Sequence, residues 1–158
     1  MDAVTYRLAT IDDLENLVSL REAFLAEISD PEELAGVAKE LHDSLTHYFA
    51  TALPAGEFVA YLGVVNGRVI ACSGLVYYRH PPSTKSLTGF DGYIMNMYTE
   101  PSWRRRGIAT ELLRRLIEFA REKKCQWALL HALEEAAPVY QRLGFEVANG
   151  GMRLDLRK

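Results

Sequence analysis

The spacing of apolar residues changes near residue 58 and divides the chain into two parts. Before this point, residues 5–8 predict a short strand, and apolar positions then recur three and four apart, as in amphipathic helices. Thr10 is a suitable N-cap for the first helix. Its apolar stripe consists of Leu14, Leu17, Val18, Leu20, Phe24, Leu25 and Ile28. Asp30 and Pro31 predict the start of a second helix, which runs to about Phe49.

The second part of the chain begins with β-rich segments. Residues 58–65 and 68–78 predict two strands, and the intervening Asn66-Gly67 is a strong hairpin signal. A third strand is predicted at residues 92–99. These segments predict an antiparallel arrangement at the centre of the sheet.

A long helix follows, from Gly107 to about Lys123, with one apolar and one charged face. The remaining segments predict a strand at 126–130, a short helix at 134–143 that ends at Gly144, and strands at 145–147 and 152–156. The resulting order is β-α-α-β-β-β-α-β-α-β-β. It predicts an α/β fold in which a mixed sheet carries helices on both faces.

Length and composition favour one globular domain over residues 1–158. No apolar run reaches the roughly 18 residues of a membrane span, and the first residues do not resemble a signal peptide. We therefore expect a cytoplasmic protein that does not bind membranes. Cys72 and Cys125 lie in apolar segments, and the histidines have no metal-ligand spacing, so we expect no metal site.

Charge is distributed unevenly along the chain. Residues 1–60 contain 12 acidic and 3 basic residues, a balance of −9, whereas residues 61–158 have a balance of +6. The basic charges interleave with helix and strand patterns, which argues against nucleic-acid binding. The basic part suits a phosphate-bearing ligand, and the acidic part favours a cationic one. Solvated helix faces would produce the same balance.

The loop between the third strand and the long helix contains the strongest chemical signal. It carries Pro101 and the run Arg104-Arg105-Arg106, and Gly107 opens the helix. A helix N-terminus exposes unpaired N–H groups and a partial positive charge, and glycine lets a phosphate approach the backbone. This combination indicates a pyrophosphate site.

Two motifs resemble those of the Gcn5-related N-acetyltransferase (GNAT) family. Residues 104–109 fit its Gln/Arg-x-x-Gly-x-Gly/Ala signature, with Pro101 upstream, and Tyr140 precedes Gly144-Phe145 at the family's spacing. The element order agrees from residue 5 to residue 156. The resemblance implies the acyl-CoA N-acyltransferase fold, in which a mostly antiparallel six- to seven-stranded sheet has a splayed central strand pair.

The resemblance also implies a reaction and its binding residues. The chain would transfer the acetyl group of acetyl-CoA to a primary amine of a small molecule or peptide, without a metal. A backbone N–H of Met97 or Tyr98 would stabilise the oxyanion. Homodimers are common in the family. The cofactor-binding residues would be Met97, Tyr98, Thr99, Arg104, Arg105, Arg106, Gly107, Ile108, Ala109 and Thr110.

Two catalytic residues are predicted. Tyr140 would protonate the leaving thiolate, because a phenol keeps its proton at neutral pH. Glu100 would accept the proton of the amine, with Asn96 and His131 as other polar candidates near the site. Two other functions remain open, a non-catalytic acyl-CoA sensor on the same fold and a mononucleotide-binding domain. The loop lacks the Lys-Ser/Thr of a P-loop, which disfavours the latter.

Overall fold

The structure, a computed structural model, describes residues 2–148 and 152–157. Four helices and six strands follow one another along the chain. They are β1 (Thr5–Leu8), α1 (Leu14–Ile28), α2 (Pro31–Ala55), β2 (Phe58–Val59), β3 (Tyr61–Val65), β4 (Arg68–Arg79), β5 (Phe90–Thr99), α3 (Ile108–Glu122), β6 (Ala128–Leu130) and α4 (Ala137–Arg142).

The six strands form one sheet in the order β1-β3-β4-β5-β6, and β2 pairs with β4. All pairs are antiparallel except β5 and β6, which run parallel. Asn66 and Gly67 form the turn between β3 and β4, and both have positive φ, as a tight hairpin requires. The predicted mixed, mostly antiparallel sheet is confirmed.

Helices cover both faces of this sheet. Leu17 of α1 and Phe49 of α2 pack with Cys72 of β4 in one apolar cluster. Ala71, the preceding residue of β4, points to the opposite face and packs with Leu112 of α3. This alternation follows from the two-residue period of a strand, and it gives the protein a separate apolar core on each side of the sheet.

The start of α2 agrees with its sequence signals, but its end does not. The Asp30 carboxylate accepts hydrogen bonds from the backbone N–H groups of Glu32 and Glu33, at 2.9 and 3.0 Å. The helix continues past Phe49 to Ala55 and ends at Gly56, whose φ is +68°. Its last turns include Ala52, which is buried in the core, so packing extends the helix beyond the predicted boundary.

The two predicted C-terminal strands are wrong. Residues 145–147 and 152–156 are not in strands. Their apolar side chains are 79% to 100% exposed at Val147, Met152, Leu154 and Leu156. The alternating apolar pattern would suit a half-buried strand, but here it has no sheet face to cover. The sheet of the described residues therefore ends at β6.

A buried carboxylate joins the β4–β5 loop to the segment before β6. Asp91 accepts hydrogen bonds from His80 Nε2 at 2.5 Å, from Ser86 Oγ at 3.0 Å and from the backbone N–H of Trp127 at 3.2 Å. Gly89 closes the loop with a φ of +61°, and any Cβ there would overlap the carbonyl oxygen of His80. This cluster fixes where β6 begins beside β5.

The His80–Asp91 pair predicts a pH-dependent stability. The hydrogen bond to Asp91 is the main reason why the pKa of His80 is raised. Such a pair stabilises the fold fully below the unfolded-state pKa of about 6.5, and its contribution is lost as pH rises through the folded-state pKa. Urea unfolding should therefore show a larger loss of stability in His80→Gln at about pH 5.5 than at about pH 9.

The matched control is His47→Gln, which removes an exposed histidine of α2 for which the structure shows no ion pair among the described residues. The loss of stability caused by His47→Gln should not be larger at about pH 5.5 than at about pH 9. An equal loss of stability at both pH values in His80→Gln would contradict the prediction.

Candidate active site

The parallel strands β5 and β6 separate part-way along the sheet. β6 pairs with β5 only at Gly92, Tyr93 and Ile94. β5 then continues to Thr99 while the chain after Leu130 turns away. From residue 95 onward one edge of β5 therefore faces a gap, and the predicted splayed strand pair is confirmed.

A β-bulge lies at the point where the gap opens. β4 and β5 are in register at Gly74–Met95 and again at Cys72–Tyr98, so one residue of β4 faces two of β5. Asn96 occupies the bulge with a φ of +57°, a left-handed conformation that asparagine tolerates better than most residues. The bulge redirects the residues of β5 that border the gap.

Two residues of β4 accommodate the bulge. The thiol of Cys72 lies 3.2 Å from the carbonyl oxygen of Asn96 and donates to it. Burial raises the pKa of Cys72 to about 12, so it remains a neutral thiol. Gly74 leaves room for its neighbours, because a Cβ there would lie 2.6 Å from the Phe58 ring and 3.1 Å from Asn96 Cβ.

A cavity of about 500 Å³, here called the loop cavity, lies between the gap and the start of α3. Nine of the ten predicted cofactor-binding residues line it. They are Met97, Tyr98, Thr99, Arg104, Arg105, Gly107, Ile108, Ala109 and Thr110. The sequence prediction therefore identified residues that the fold brings together, and Arg106 is the one that does not line the cavity.

The start of α3 suits an anion. Gly107 is the N-cap residue and has a φ of +77°, and no atom lies within 4 Å of where its Cβ would be. The unpaired N–H groups of the first turn are therefore accessible from the loop cavity. These groups and the helix dipole favour a phosphate at this position.

The three arginines of the loop differ in their contacts. Arg104 pairs with Glu27 of α1 at 2.7 Å and donates to the carbonyl oxygen of Thr99 at 2.8 Å. Arg106 donates to the Ser102 carbonyl oxygen at 3.0 Å and lies over the ring of Trp103, but it does not itself line the cavity. Arg105 lines the cavity and makes no hydrogen bond or ion pair within the described part of the chain.

Tyr140 projects from α4 into the loop cavity. Its ring packs edge-on against Phe145, with centroids 5.9 Å apart. Burial raises its pKa, so the phenol keeps its proton at neutral pH. Among the described residues its hydroxyl has no hydrogen-bond partner, which leaves that proton available to a group in the cavity.

Glu100 lies elsewhere. Its carboxylate pairs with Arg68 at 2.8 Å, and it lines neither the loop cavity nor the second cavity described below. Its role as the base stays a prediction, and this ion pair argues against it. Of the other polar candidates, His131 is exposed and its Nδ1 lies 2.5 Å from the hydroxyl of Tyr93.

A second cavity of about 560 Å³, here called the aromatic cavity, lies on the other side of the bulge. Six aromatic residues line it, namely Tyr48, Phe49, Phe58, Tyr77, Tyr78 and Tyr93. Met95 and Asn96 line this cavity, and Met97 and Tyr98 line the loop cavity, so both reach β5 at the bulge. The sequence analysis did not identify this cavity, although Tyr77-Tyr78 at a strand end was a visible signal.

The charge of the aromatic cavity differs from the sequence expectation. Among the residues that the structure describes, Arg21 is the one charged residue in its lining, and none of the acidic residues of the first 60 positions contributes to it. The −9 balance of that segment therefore does not describe the surroundings of a ligand bound here.

The family assignment rests on a profile that covers most of the chain. The profile of the acetyltransferase (GNAT) family matches residues 17–145, which include the bulge, the loop and Tyr140. The chain belongs to the GNAT acetyltransferase family. The predicted resemblance is thereby confirmed.

Solved GNAT structures agree closely with this one. A predicted acetyltransferase from Clostridium acetobutylicum, crystallised with acetyl-CoA, is 32% identical with a TM-score of 0.87, covering 98% of this chain and 97% of that one. A GCN5-related N-acetyltransferase from Ralstonia eutropha is 29% identical with a TM-score of 0.86, covering 97% and 99%.

A curated relative extends the comparison to a named activity. The chain is similar to a glucosamine 6-phosphate N-acetyltransferase from Trypanosoma brucei brucei, with 32% identity over 90 residues. The match spans 57% of this chain and 59% of that relative. Within the described residues, no helix is long and apolar enough to cross a membrane, and no three His, Cys, Asp or Glu side chains are grouped as a metal site would need.

The packing of the bulge yields a testable prediction about Gly74. Gly74→Ala should lower the free energy of unfolding by about 1–3 kcal/mol, because the added methyl would overlap the buried ring of Phe58, which packs against Tyr48 and Phe49. Gly36→Ala is the matched control. Gly36 lies in α2 with no atom within 4 Å of its Cβ position, so alanine there should add up to about 1 kcal/mol. Urea unfolding that finds Gly74→Ala as stable as wild type would contradict this account.

Proposed function

We propose that this chain transfers the acetyl group of acetyl-CoA to a primary amine by direct attack of the amine on the thioester. The observation that supports this most is the pair of cavities that meet β5 at adjacent residues, one at Met95 and Asn96 and the other at Met97 and Tyr98. One cavity offers an anion site and a proton donor. The other offers a separate place for an acceptor, and the two ligands would meet at the bulge.

Acetyl-CoA would occupy the loop cavity. Its pyrophosphate would bind the N–H groups at the start of α3 and the guanidinium of Arg105. Its pantetheine arm would lie along the open edge of β5 at residues 97–99, where no strand of the described chain competes for the backbone groups. The acetyl-CoA complex of the full-length Clostridium relative supports this choice of ligand.

The bulge suggests which backbone group would stabilise the oxyanion. The N–H of Tyr98 is directed at the sulfur of Cys72, and this hydrogen bond favours the thiolate form. Successive N–H groups of a strand point to opposite edges, so the N–H of Met97 would face the gap. We therefore assign the oxyanion contact to Met97, where the developing negative charge would be stabilised.

In the proposed reaction the sulfur gains one proton and the amine loses one. The amine nitrogen forms a bond to the thioester carbon, the carbon–sulfur bond breaks, and the coenzyme leaves as a thiolate. Tyr140 donates its proton to that sulfur. The amine loses a proton, for which Tyr93 and His131 offer a route to solvent, because Tyr93 lines the aromatic cavity and His131 is exposed. Solvent then restores the proton of Tyr140.

A non-catalytic acyl-CoA sensor remains the alternative. A sensor would need the loop cavity but neither a proton donor at the sulfur nor an acceptor cavity. The partly buried, protonated Tyr140 and the aromatic cavity therefore favour the enzyme. Acetyl-CoA consumption measured over a panel of amines separates the two functions, since a sensor would consume none.

The contacts of the arginines predict different effects on acetyl-CoA binding. Arg105→Ala should weaken binding several-fold, and more at low salt than at high salt, because an exposed charge–phosphate contact is screened. Arg106→Ala, which removes a neighbouring charge that does not line the cavity, should change the affinity less. Calorimetric titration measures both. Equal effects of the two substitutions would show that only the net charge of the loop matters.

The role of Tyr140 predicts a chemical defect without a structural one. Tyr140→Phe keeps the ring and its contact with Phe145 but removes the proton. With saturating amine and acetyl-CoA, kcat should fall by about 10²-fold, whereas acetyl-CoA affinity and the melting temperature should stay close to those of wild type. A stable, fully active Tyr140→Phe protein would remove this residue from the mechanism. A parallel loss of melting temperature would assign it to packing.

A further inference from the structure

Arg21 of α1 is a partly buried cation that lines the aromatic cavity. Its guanidinium carbon lies 5.3 Å from the centre of the Phe24 ring. Within the described residues it makes no ion pair and no hydrogen bond, whereas Arg104 and Arg7 pair with carboxylates. Burial lowers its pKa, which shows that the charge is incompletely hydrated. Arg21 is therefore a partly buried cation without an anionic partner among the described residues.

Asn96 also lines this cavity and carries a second unsatisfied polar atom. The residue is 6% exposed, and its Oδ1 is buried without a hydrogen-bond partner among the described residues. A buried acceptor that lacks a donor destabilises the structure until a ligand or another group supplies the hydrogen bond. The amide nitrogen is directed to Cys72, at 3.7 Å, so the oxygen is the end of the side chain that awaits an N–H donor.

Both groups line the same cavity. Asn96 contacts Cys72 through both its carbonyl oxygen and its amide. Burial raises the pKa of this thiol, and the charge of Arg21 lowers it to a smaller extent. A ligand that satisfies both groups therefore carries an anion and an N–H donor.

The remaining wall of the cavity is apolar. Tyr48, Tyr77 and Tyr78 form its aromatic side, and Leu45 and Val76 add aliphatic surface. No carboxylate belongs to the lining, so a second positive charge on the ligand would find no partner there. Such a wall suits a large apolar group rather than a polyamine.

We infer that the acceptor is a free α-amino acid with an aromatic or large aliphatic side chain. Its carboxylate binds Arg21, an N–H of its amino group donates to Asn96 Oδ1, and its side chain lies against the tyrosines. This inference rests on the proposed function. It disfavours protein N-termini, in which the carboxylate is replaced by an amide, and it places the amine at the bulge, where the thioester would be.

Matched acceptors test the need for the anion. L-phenylalanine and phenethylamine differ only by the carboxylate, and glucosamine 6-phosphate and glucosamine differ only by the phosphate. The wild-type protein should acetylate L-phenylalanine with a KM about tenfold or more below that of phenethylamine, as a hydrogen-bonded charge pair contributes. A preference for glucosamine 6-phosphate that depends on Arg21 would overturn the α-amino acid and assign Arg21 to a phosphate.

Substitution of Arg21 tests which residue binds the anion. Arg21→Gln should raise the KM for L-phenylalanine about 10- to 100-fold, and it should raise the KM for phenethylamine, which has no carboxylate, by less. Arg21→Lys keeps the charge without the bidentate fork and should recover part of the affinity. Arg121→Gln, an exposed position of α3 on the other face of the sheet, is the control and should have no effect.

A binding measurement separates this inference from the proposed function. 3-Phenylpropionate has the carboxylate and the ring but no amine, so its calorimetric affinity does not depend on acetyl transfer. It should bind the wild-type protein and bind Arg21→Gln about tenfold or more weakly, with both proteins equally folded by circular dichroism. Equal affinities would overturn the inference even if amines are acetylated. An Arg21-dependent affinity without turnover of any amine would uphold the anion site and refute the acetyltransferase.

Discussion

The bulge at Asn96 determines where both cavities lie, because it interrupts the strand that they share. As far as Ile94, β5 is paired on both edges and has no backbone group to offer a ligand. Beyond that residue β6 has ended, yet β4 continues to hold the other edge. One edge of β5 is therefore free for a ligand, while the hydrogen bonds to β4 keep the strand in the sheet. Gly74 provides the room for this arrangement, and the neutral thiol of Cys72 provides a hydrogen bond to it.

Helix α1 connects the two cavities. It carries Arg21 to the aromatic cavity and, less than two turns later, Glu27 to the loop that precedes α3. The hydrogen bond from Arg104 lowers the pKa of Glu27, so this carboxylate remains charged and anchors the loop. Arg104 belongs to the loop motif that the sequence analysis assigned to phosphate binding. Through Glu27 it also holds α1, the helix that borders the proposed acceptor cavity. Any displacement of α1 would therefore change the positions of residues at both cavities.

The regular elements could be predicted from sequence because local signals and tertiary packing agree in them. The Asn66-Gly67 turn, the Asp30 cap and the amphipathic α3 are examples. The absence of C-terminal strands could not be predicted from sequence. An alternating apolar pattern indicates only that a strand is possible, and pairing with a neighbouring strand decides whether it forms. The contacts of Arg104, Arg105 and Arg106 were equally hidden, because neighbouring residues of a turn point in different directions.

The acidic balance of the first 60 residues shows why net charge was a poor guide to the acceptor. The acids of this segment have local uses: Asp13 pairs with Arg7, Asp30 caps α2, and Glu27 anchors the loop. An acid that is paired or used as a cap exerts little field on a distant ligand, and an exposed acid is screened by salt. A single charge that is partly buried and lacks a partner is not screened in the same way. Within the described part of the chain Arg21 is such a charge, and for the acceptor that we propose it is therefore a better guide than the twelve acidic residues of the same segment.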